Sequence, residues 1–251
     1  FMKKNSTLFN FTSFRLFNFS IKKILVFSLF FLLSQLSSFG QVCGTPGADG
    51  PILVSSSINT YFPITTNISL VAGQTSVNLG AVPPTDPYGN SFGTLQINSG
   101  DLLLIIQMQD AAINSTNDNT YGSGFPNSGT DLLGGTGFTS IGNTGLYEYV
   151  VATNNVPLSG GNLTFLGTGA GNGLLNSYVN AAATTTSGKK TFQIVRVPQY
   201  SNLTLTANVT TPPFNGTCGG VIAFNVSGTF NFSGFTIDGN ARGFRGGYSR
   251  Q

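Results

Sequence analysis

The sequence contains no histidine, only two cysteines, and few charged residues of either sign. Without histidine, the chain cannot form a Ser-His-Asp or Cys-His catalytic system, or a zinc or iron site with histidine ligands. Two cysteines alone cannot complete a structural zinc site. No GxxxxGK[ST] phosphate loop occurs, and the many glycines do not lie between a strand and a clear helix. The glycines therefore predict turns and bulges of β structure rather than a nucleotide site.

The N-terminal segment has the organisation of a secretory leader. Its apolar run ILVFSLFFLL (24–33) is followed by small residues at Ser38 and Gly40. Five basic residues precede that run: Lys3, Lys4, Arg15, Lys22 and Lys23. We predict a signal peptide over residues 1–40, cleaved between Gly40 and Gln41. An uncleaved N-terminal anchor is the alternative, although a membrane helix needs about 20 apolar residues.

Removal of this leader changes the charge balance. The leader holds five of the 11 basic residues and none of the eight acidic residues, so the remainder carries a net negative charge. The alkaline isoelectric point therefore comes largely from the leader, and a nucleic-acid partner is not expected. Membrane contact is expected only through the leader itself.

The remainder has the composition of a folded β protein. Disordered chains combine high charge with low hydrophobicity, whereas this chain has little charge and repeated apolar runs bounded by Gly, Pro and Asn. The strongest strand candidate is DLLLIIQMQD (101–110), whose continuous apolar run predicts burial on both faces. We predict an all-β fold with a sandwich-like region over 41–210. Only GLLNSYVNAAATTTSG (173–188) has some helical character.

The C-terminal part, 211–251, follows a different pattern. Apolar residues alternate in short runs punctuated by glycines: Ile222, Phe224 and Val226, then Phe230 and Phe232, then Phe235 and Ile237. Short alternating strands of this kind predict the first coils of a parallel β-helix or another repetitive, Gly-rich region. A series of antiparallel hairpins in a sandwich explains the pattern equally well, and the two interpretations stay open.

Few residues are candidates for a functional site. Paired carboxylates are the remaining generic catalytic chemistry, but the acids are interpreted as solvated loop residues, and no catalytic residue or organic cofactor is predicted. Asn117, Asp118 and Asn119 offer oxygen ligands of the kind calcium accepts, within a segment that equally predicts turns. Arg242 and Arg245 are candidate ligand contacts in the Gly-rich tail.

The two cysteines, Cys43 and Cys218, are far apart in sequence. In an exported protein they are a candidate disulfide, which would close a long loop and stabilise the fold by about 4–5 kcal/mol in the chain-entropy model. Two free thiols, or pairing with other segments, are the alternatives.

Four segments together resemble the N-terminal part of large secreted, adhesin-like surface proteins of Bacteroidota. They are the leader ending in FGQ, SGDLLLIIQMQDA (99–111), GLYEYVVA (145–152) and VIAFNVSGTFNFSGFTIDGNARGFRGG (221–247). The resemblance implies export by the type IX secretion system and further β structure after the Gly/Arg tract. Phe1 before Met2 and the ending GGYSRQ likewise predict a fragment of a longer protein.

The leading functional hypothesis is a non-enzymatic, adhesin-like protein that is secreted or lies on the outer cell surface. Its partners would be glycans or other surfaces, together with further domains of the same chain. The N-terminal part of a β-helical polysaccharide lyase or glycoside hydrolase is one alternative. A calcium-dependent carbohydrate-binding module is the other.

Overall fold

A computed structural model describes residues 43–114, 137–184 and 187–243. The fold is all-β, as predicted, with one short 3₁₀ turn at Ala170–Asn172. Within these ranges, no helix has the length and apolar character that crossing a membrane requires.

The described residues form sixteen strands, most of them bounded by glycine, proline or asparagine as the sequence predicts. In chain order they are β1 (Gly50–Val54), β2 (Thr60–Pro63), β3 (Ile68–Leu70), β4 (Ser76–Leu79), β5 (Leu102–Gln109), β6 (Ala112–Asn114), β7 (Gly137–Ser140), β8 (Tyr147–Ala152), β9 (Gly161–Leu166), β10 (Tyr178–Asn180), β11 (Thr191–Val197), β12 (Gln199–Leu205), β13 (Val209–Thr210), β14 (Asn225–Val226), β15 (Phe230–Asn231) and β16 (Ile237–Asp238).

The largest sheet has six antiparallel strands in the order β2-β11-β5-β8-β9-β4. Ile105 at its centre lies opposite Ile194 of β11 and Glu148 of β8. The two faces of the central strand β5 are both covered, with Leu102 5% exposed and Leu103 0% exposed. The prediction that 101–110 is a strand buried on both faces is therefore confirmed.

Two apolar clusters lie on opposite faces of this sheet. The first is the larger and includes Phe62, Leu103, Ile105, Phe192 and Ile194. The second includes Tyr61, Leu102, Leu104, Val195 and Cys218. Because neighbouring residues of a strand point to opposite faces, β2, β5, β8 and β11 contribute to both clusters, whereas β4 and β9 contribute only to the first. The first four strands therefore form the middle layer of a sandwich-like core.

A second group of strands pairs in parallel. β12 lies between β1 on one side and β14 and β15 on the other, and β13 pairs with β16. The offsets between paired residues are nearly constant, since Tyr200 lies opposite Val226 and Leu203 lies opposite Phe230. This parallel ladder has the pairing that a coil of a β-helix requires, but the β-helix itself stays a prediction.

The parallel ladder has its own apolar cluster, which includes Val54, Tyr200, Leu203, Leu205 and Val209. Four of the apolar residues predicted to alternate pack against it: Phe224, Val226, Phe230 and Ile237. Two others remain at the surface, since Phe232 is 49% exposed and Phe235 is 36% exposed. The alternating pattern of 222–237 therefore identifies some of the inward-facing residues of the parallel ladder correctly and others incorrectly.

Two further expectations are refined by the structure. The described residues belong to one compact unit over 40–251, and the predicted boundary at 210 falls inside the parallel ladder. The hydroxyl of Tyr61 donates to the Val221 carbonyl across that boundary at 2.5 Å.

The helical character expected within 173–188 is wrong for its centre, because Tyr178–Asn180 pairs with β3 as a strand. Tertiary pairing overrides a weak local helix preference there.

Candidate functional site

An open cleft of about 490 Å³ lies where the start of the described chain crosses the junction of the two strand groups. Its lining residues are Cys43, Gly44, Pro46, Leu102, Tyr149, Thr168, Gln199 and Asn225. A volume of this size lies in the range of small-molecule sites. We refer to these eight residues, with the neighbouring Tyr147, as the tyrosine cleft.

The tyrosines are exposed because of their positions in β8. Its side chains alternate, so Glu148 and Val150 point into the core while Tyr147 and Tyr149 point outward and are 57% and 40% exposed. The two rings pack edge to face, with centroids 6.1 Å apart. Leu166 lies opposite Val151 on the same face and is 45% exposed. An apolar and aromatic surface therefore extends outward from the cleft.

The polar groups of the cleft are held in place by the strand junction. The Asn225 side-chain amide donates to Gln199 Oε1 at 3.0 Å, and Gln199 Nε2 donates to the Val197 carbonyl at 3.1 Å. Among the described residues, none donates a hydrogen bond to Asn225 Oδ1 or to the Tyr149 hydroxyl. Burial and then the neighbouring Tyr147 raise the pKa of Tyr149, so its hydroxyl stays protonated near neutral pH. The cleft thus presents both acceptors and donors of hydrogen bonds.

The inner side of the cleft depends on a glycine. A Cβ atom at Gly44 would lie 2.9 Å from Leu102 Cβ and 3.1 Å from Gln199 Cδ. Real Cβ atoms essentially never come that close, so only glycine lets the chain lie against β5 and β12 at this point. Gly44 therefore sets the separation between the incoming chain and the two strands.

Below the cleft, Arg196 joins three segments of the chain. Its Nε and Nη2 donate to the two oxygens of Asp101 at 2.8 and 2.9 Å, and Nη2 also donates to Asp49 Oδ1 at 2.5 Å. Asp49 Oδ2 accepts from the backbone N–H of Gln199 at 2.7 Å. Burial lowers the pKa of Arg196, but its bonds to Asp101 and Asp49 outweigh burial and raise it. This Arg196 cluster fixes the first residue of β12 and, through it, the polar side of the cleft.

The other acids of the described chain each have hydrogen-bond or ion-pair partners within the fold. Asp110 forms an ion pair with Lys190 at 2.6 Å. Glu148 accepts the backbone N–H groups of Leu175 and Asn176 at 2.8 and 2.9 Å. Asp86 caps its own turn through Asn90, and Asp238 accepts from the backbone N–H of Asn240 at 2.8 Å. The interpretation of the acids as solvated loop residues is therefore wrong for Asp110 and Glu148, which are only 6% and 7% exposed.

The structure does not join the two cysteines. Cys218 lies 0% exposed in the second apolar cluster, where burial raises the pKa of its thiol to about 12. Cys43 is exposed at the rim of the cleft, and both thiols are free. The candidate disulfide is therefore absent, because the two residues belong to different environments, one in the core and one at the surface.

The other sequence candidates lie away from the cleft or outside the described residues. Arg242 is half-buried, and its carbonyl accepts the backbone N–H of Phe214 at 2.8 Å. Desolvation opposes the lowering of the pKa of Asp86, hydrogen bonds from Asn90 and Tyr88 outweigh it, and the charge of Arg242 makes the smallest contribution. Arg245, the calcium candidates at 117–119 and the cleavage residues Gly40 and Gln41 all lie outside the described ranges. Within those ranges no three Cys, Asp or Glu residues are grouped as a metal site requires.

Sequence reasoning missed the tyrosine cleft. One signal was present, since GLYEYVVA alternates and places two tyrosines on the face opposite Val150. The junction of β11 and β12 that supplies Gln199 had no comparable signal, because it depends on pairing with distant segments.

Fold and site together define an all-β protein with an uncharged, tyrosine-lined cleft between an antiparallel sheet and a parallel ladder. Comparison with protein-family models, with curated proteins and with solved structures gives no match for the chain.

Proposed function

We propose that this chain belongs to a secreted or cell-surface, adhesin-like protein that binds glycans through the tyrosine cleft. The observation that carries the proposal is the pair of outward tyrosines, Tyr147 and Tyr149, beside an open cleft with amide side chains. Exposed aromatic rings on a rigid sheet have no role in the apolar clusters of the fold, and such surfaces commonly mark interaction sites.

The cleft is preorganised for binding. Tyr149 lies in β8 opposite Leu104 of β5, and the lining residues Leu102, Gln199 and Asn225 also lie in paired strands. A site on paired strands keeps its geometry and loses little entropy when it binds a ligand.

Its chemistry matches that of sugars. A tyrosine ring combines an apolar face with a hydroxyl group, and the apolar C–H face of a sugar ring can pack against it. The free amide oxygen of Asn225 and the hydroxyl groups of Tyr149 and Thr168 supply acceptors and donors for sugar hydroxyl groups, while the buried amide of Gln199 holds Asn225 in place. A few placed polar groups in a mostly apolar cleft are typical of ligand sites.

The sequence supports the proposed location and class. The predicted leader over 1–40, the low charge and the resemblance to adhesin-like surface proteins all favour a role outside the cell. Further domains of a longer protein would complete the adhesin.

Binding to a glycan array tests the proposal. We expect the purified protein to bind a subset of the glycans and Tyr149→Ala to lose that binding by about tenfold or more, since aromatic side chains dominate such contacts. Tyr88→Ala is the matched control, because Tyr88 is 84% exposed and does not line the cleft. Equal binding by wild type and Tyr149→Ala would remove the cleft from the proposal. Turnover of a polysaccharide by the protein would replace it with an enzymatic function.

A further inference from the structure

We infer that the tyrosine cleft selects uncharged sugars, so that its ligands are neutral polysaccharide chains rather than uronate-containing or sulfated ones. This inference rests on the proposed function and adds the chemical class of the ligand. Charge is the property by which these two groups of glycans differ most, and the structure shows how charge is distributed around the cleft.

Among the described residues, the lining carries no ionised side chain. None of its eight residues is Asp, Glu, Lys or Arg. A carboxylate or sulfate group bound there would lose part of its hydration without gaining a cationic partner, which is costly. A neutral hydroxyl group needs only the hydrogen bonds that the cleft provides.

The nearest charges make an anion less favourable still. Arg196 directs its guanidinium inward to Asp49 and Asp101, and its side chain is only 5% exposed. One arginine is thus shared by two carboxylates, which leaves the Arg196 cluster with a net negative charge close to Gln199. An anionic ligand in the cleft would be repelled by the cluster, and the one guanidinium nitrogen of Arg196 without a hydrogen-bond partner, Nη1, is buried away from the surface.

The remaining basic residues of the described chain are engaged elsewhere. Lys190 pairs with Asp110 beyond the far end of β5. Lys189 Nζ donates to the Gly216 carbonyl at 2.6 Å. Arg242 lies near Asp86 and does not line the cleft. No described lysine or arginine is therefore placed to neutralise an acidic sugar at the tyrosine cleft.

The polar groups that are present suit hydroxyl groups well. Asn225 retains a free carbonyl oxygen and is exposed, while Tyr149 retains its hydroxyl. A sugar hydroxyl both donates and accepts, so it can satisfy an amide oxygen and a phenol at the same time. Tyr149, which is 40% exposed, supplies the apolar surface against which the ring would lie, and the buried Leu102 forms the floor beneath it.

Affinity electrophoresis of the purified protein through gels containing pairs of related polysaccharides, one neutral and one anionic, tests this inference. The pairs are dextran with dextran sulfate, hydroxyethyl cellulose with carboxymethyl cellulose, and galactan with polygalacturonate, with mannan and xylan as further neutral polymers. We expect retardation by at least one neutral polymer, with an affinity about tenfold or more above that of its anionic partner. Runs at about 150 mM and 500 mM salt separate ionic from uncharged binding, because only ionic binding weakens strongly with salt.

Three variants at two positions connect the selectivity to the cleft. Tyr149→Ala should lose neutral binding, while Tyr149→Phe should keep most of it because the ring remains. Asn225→Lys should gain salt-sensitive binding to the anionic partners, since it places a cation in the lining. Urea unfolding of each variant shows that it is folded before binding is compared.

The outcomes separate the inference from the function on which it rests. Equal or stronger binding of the anionic partners by wild type overturns the neutral-sugar inference but keeps glycan binding. Loss of neutral binding only in Tyr88→Ala and not in Tyr149→Ala overturns the assignment to the cleft. Absence of retardation by every polymer overturns glycan binding itself, and the inference with it.

Discussion

Replacement of Arg196 by methionine is the most informative perturbation of this fold. Methionine fills much of the same volume but removes the positive charge and all five N–H donors. Asp49 and Asp101, which are 22% and 15% exposed, would then lie next to each other without a cation. Two segments that precede β1 and β5 would lose their common attachment to β11.

The magnitude follows from the geometry. Removal of one partner of a buried ion pair costs about 3–5 kcal/mol. The value should fall at the lower end, about 3 kcal/mol, because each carboxylate keeps a backbone N–H donor and some contact with water. Those donors are the N–H groups of Gln199 at 2.7 Å and Asn98 at 2.8 Å. For a domain of this size, that loss lowers the melting temperature by about 6–12 °C.

Urea unfolding followed by tyrosine fluorescence and far-UV circular dichroism measures the effect, since the chain has no tryptophan. Arg242→Met is the matched control and should change stability by about 0.5 kcal/mol or less, because Arg242 forms no ion pair among the described residues. The variant with Arg196→Met, Asp49→Asn and Asp101→Asn together should recover most of the loss, since no uncompensated charge remains. A loss below about 1 kcal/mol in Arg196→Met alone would refute this account of the Arg196 cluster.

Other predictions concern single contacts. Gly228→Ala should destabilise the protein by about 1–3 kcal/mol in urea unfolding, because the new Cβ would lie 2.6 Å from the Ser201 carbonyl oxygen in the parallel ladder. Gly239→Ala is the control and should be nearly neutral, because its Cβ would lie 3.9 Å from the nearest atom. Equal effects of the two substitutions would contradict this account. Maleimide should label Cys43 but not Cys218 in the folded protein, and an unlabelled protein that becomes reactive only on reduction would restore the disulfide hypothesis. Burial raises the pKa of Cys218 to about 12, so as the pH rises the thiol loses its proton in the unfolded chain before it does so in the folded protein. Above about pH 9 the free energy of unfolding should therefore fall by about 1.4 kcal/mol per pH unit. Cys218→Ala should show a smaller slope. Calcium bound at 117–119 would raise the melting temperature relative to EGTA, and identical midpoints would exclude it.

The sequence predicts most of the antiparallel sheet because its strands carry local signals. Leu102–Gln109 is a continuous apolar run, and Tyr147–Ala152 alternates, so both strands can be identified without knowing their partners. No such signal marks β2, because Thr60–Pro63 is short and ends in proline, although all four of its residues are buried. Pairing with β11 rather than local propensity makes it a strand.

The parallel ladder shows where local patterns stop being informative. Gly50 lies opposite Tyr200, so β1 and β12 join residues about 150 positions apart, and no short sequence window contains both. Inward and outward residues of 221–238 were predicted from alternation alone. The exposed Phe232 and Phe235 depart from that pattern because the strands here are only two residues long and are separated by turns.

The sequence alone shows the exposed tyrosines of the candidate site but not the contacts that hold its buried side. Two tyrosines on one face of an alternating strand are visible in the sequence, and so is a lone arginine inside the apolar run TFQIVRV. The partners of that arginine are not visible, because Asp49 and Asp101 reach it from segments 147 and 95 residues away. Contacts over such distances are set by topology rather than by spacing.

The tyrosine cleft and the Arg196 cluster are consequences of one event in the chain. Val197 ends β11 and pairs antiparallel with Leu102, whereas Gln199, only two residues later, begins β12 and pairs in parallel with Asn225. Pro198 between them has no N–H group to donate, and its carbonyl accepts the N–H of Asn225 at 2.9 Å. The chain therefore leaves one sheet and enters the other within three residues, and the space left at that change of direction is the cleft. Arg196 holds this junction from the inside through Asp49 and Asp101, so the geometry of the proposed binding surface depends on these buried ion pairs.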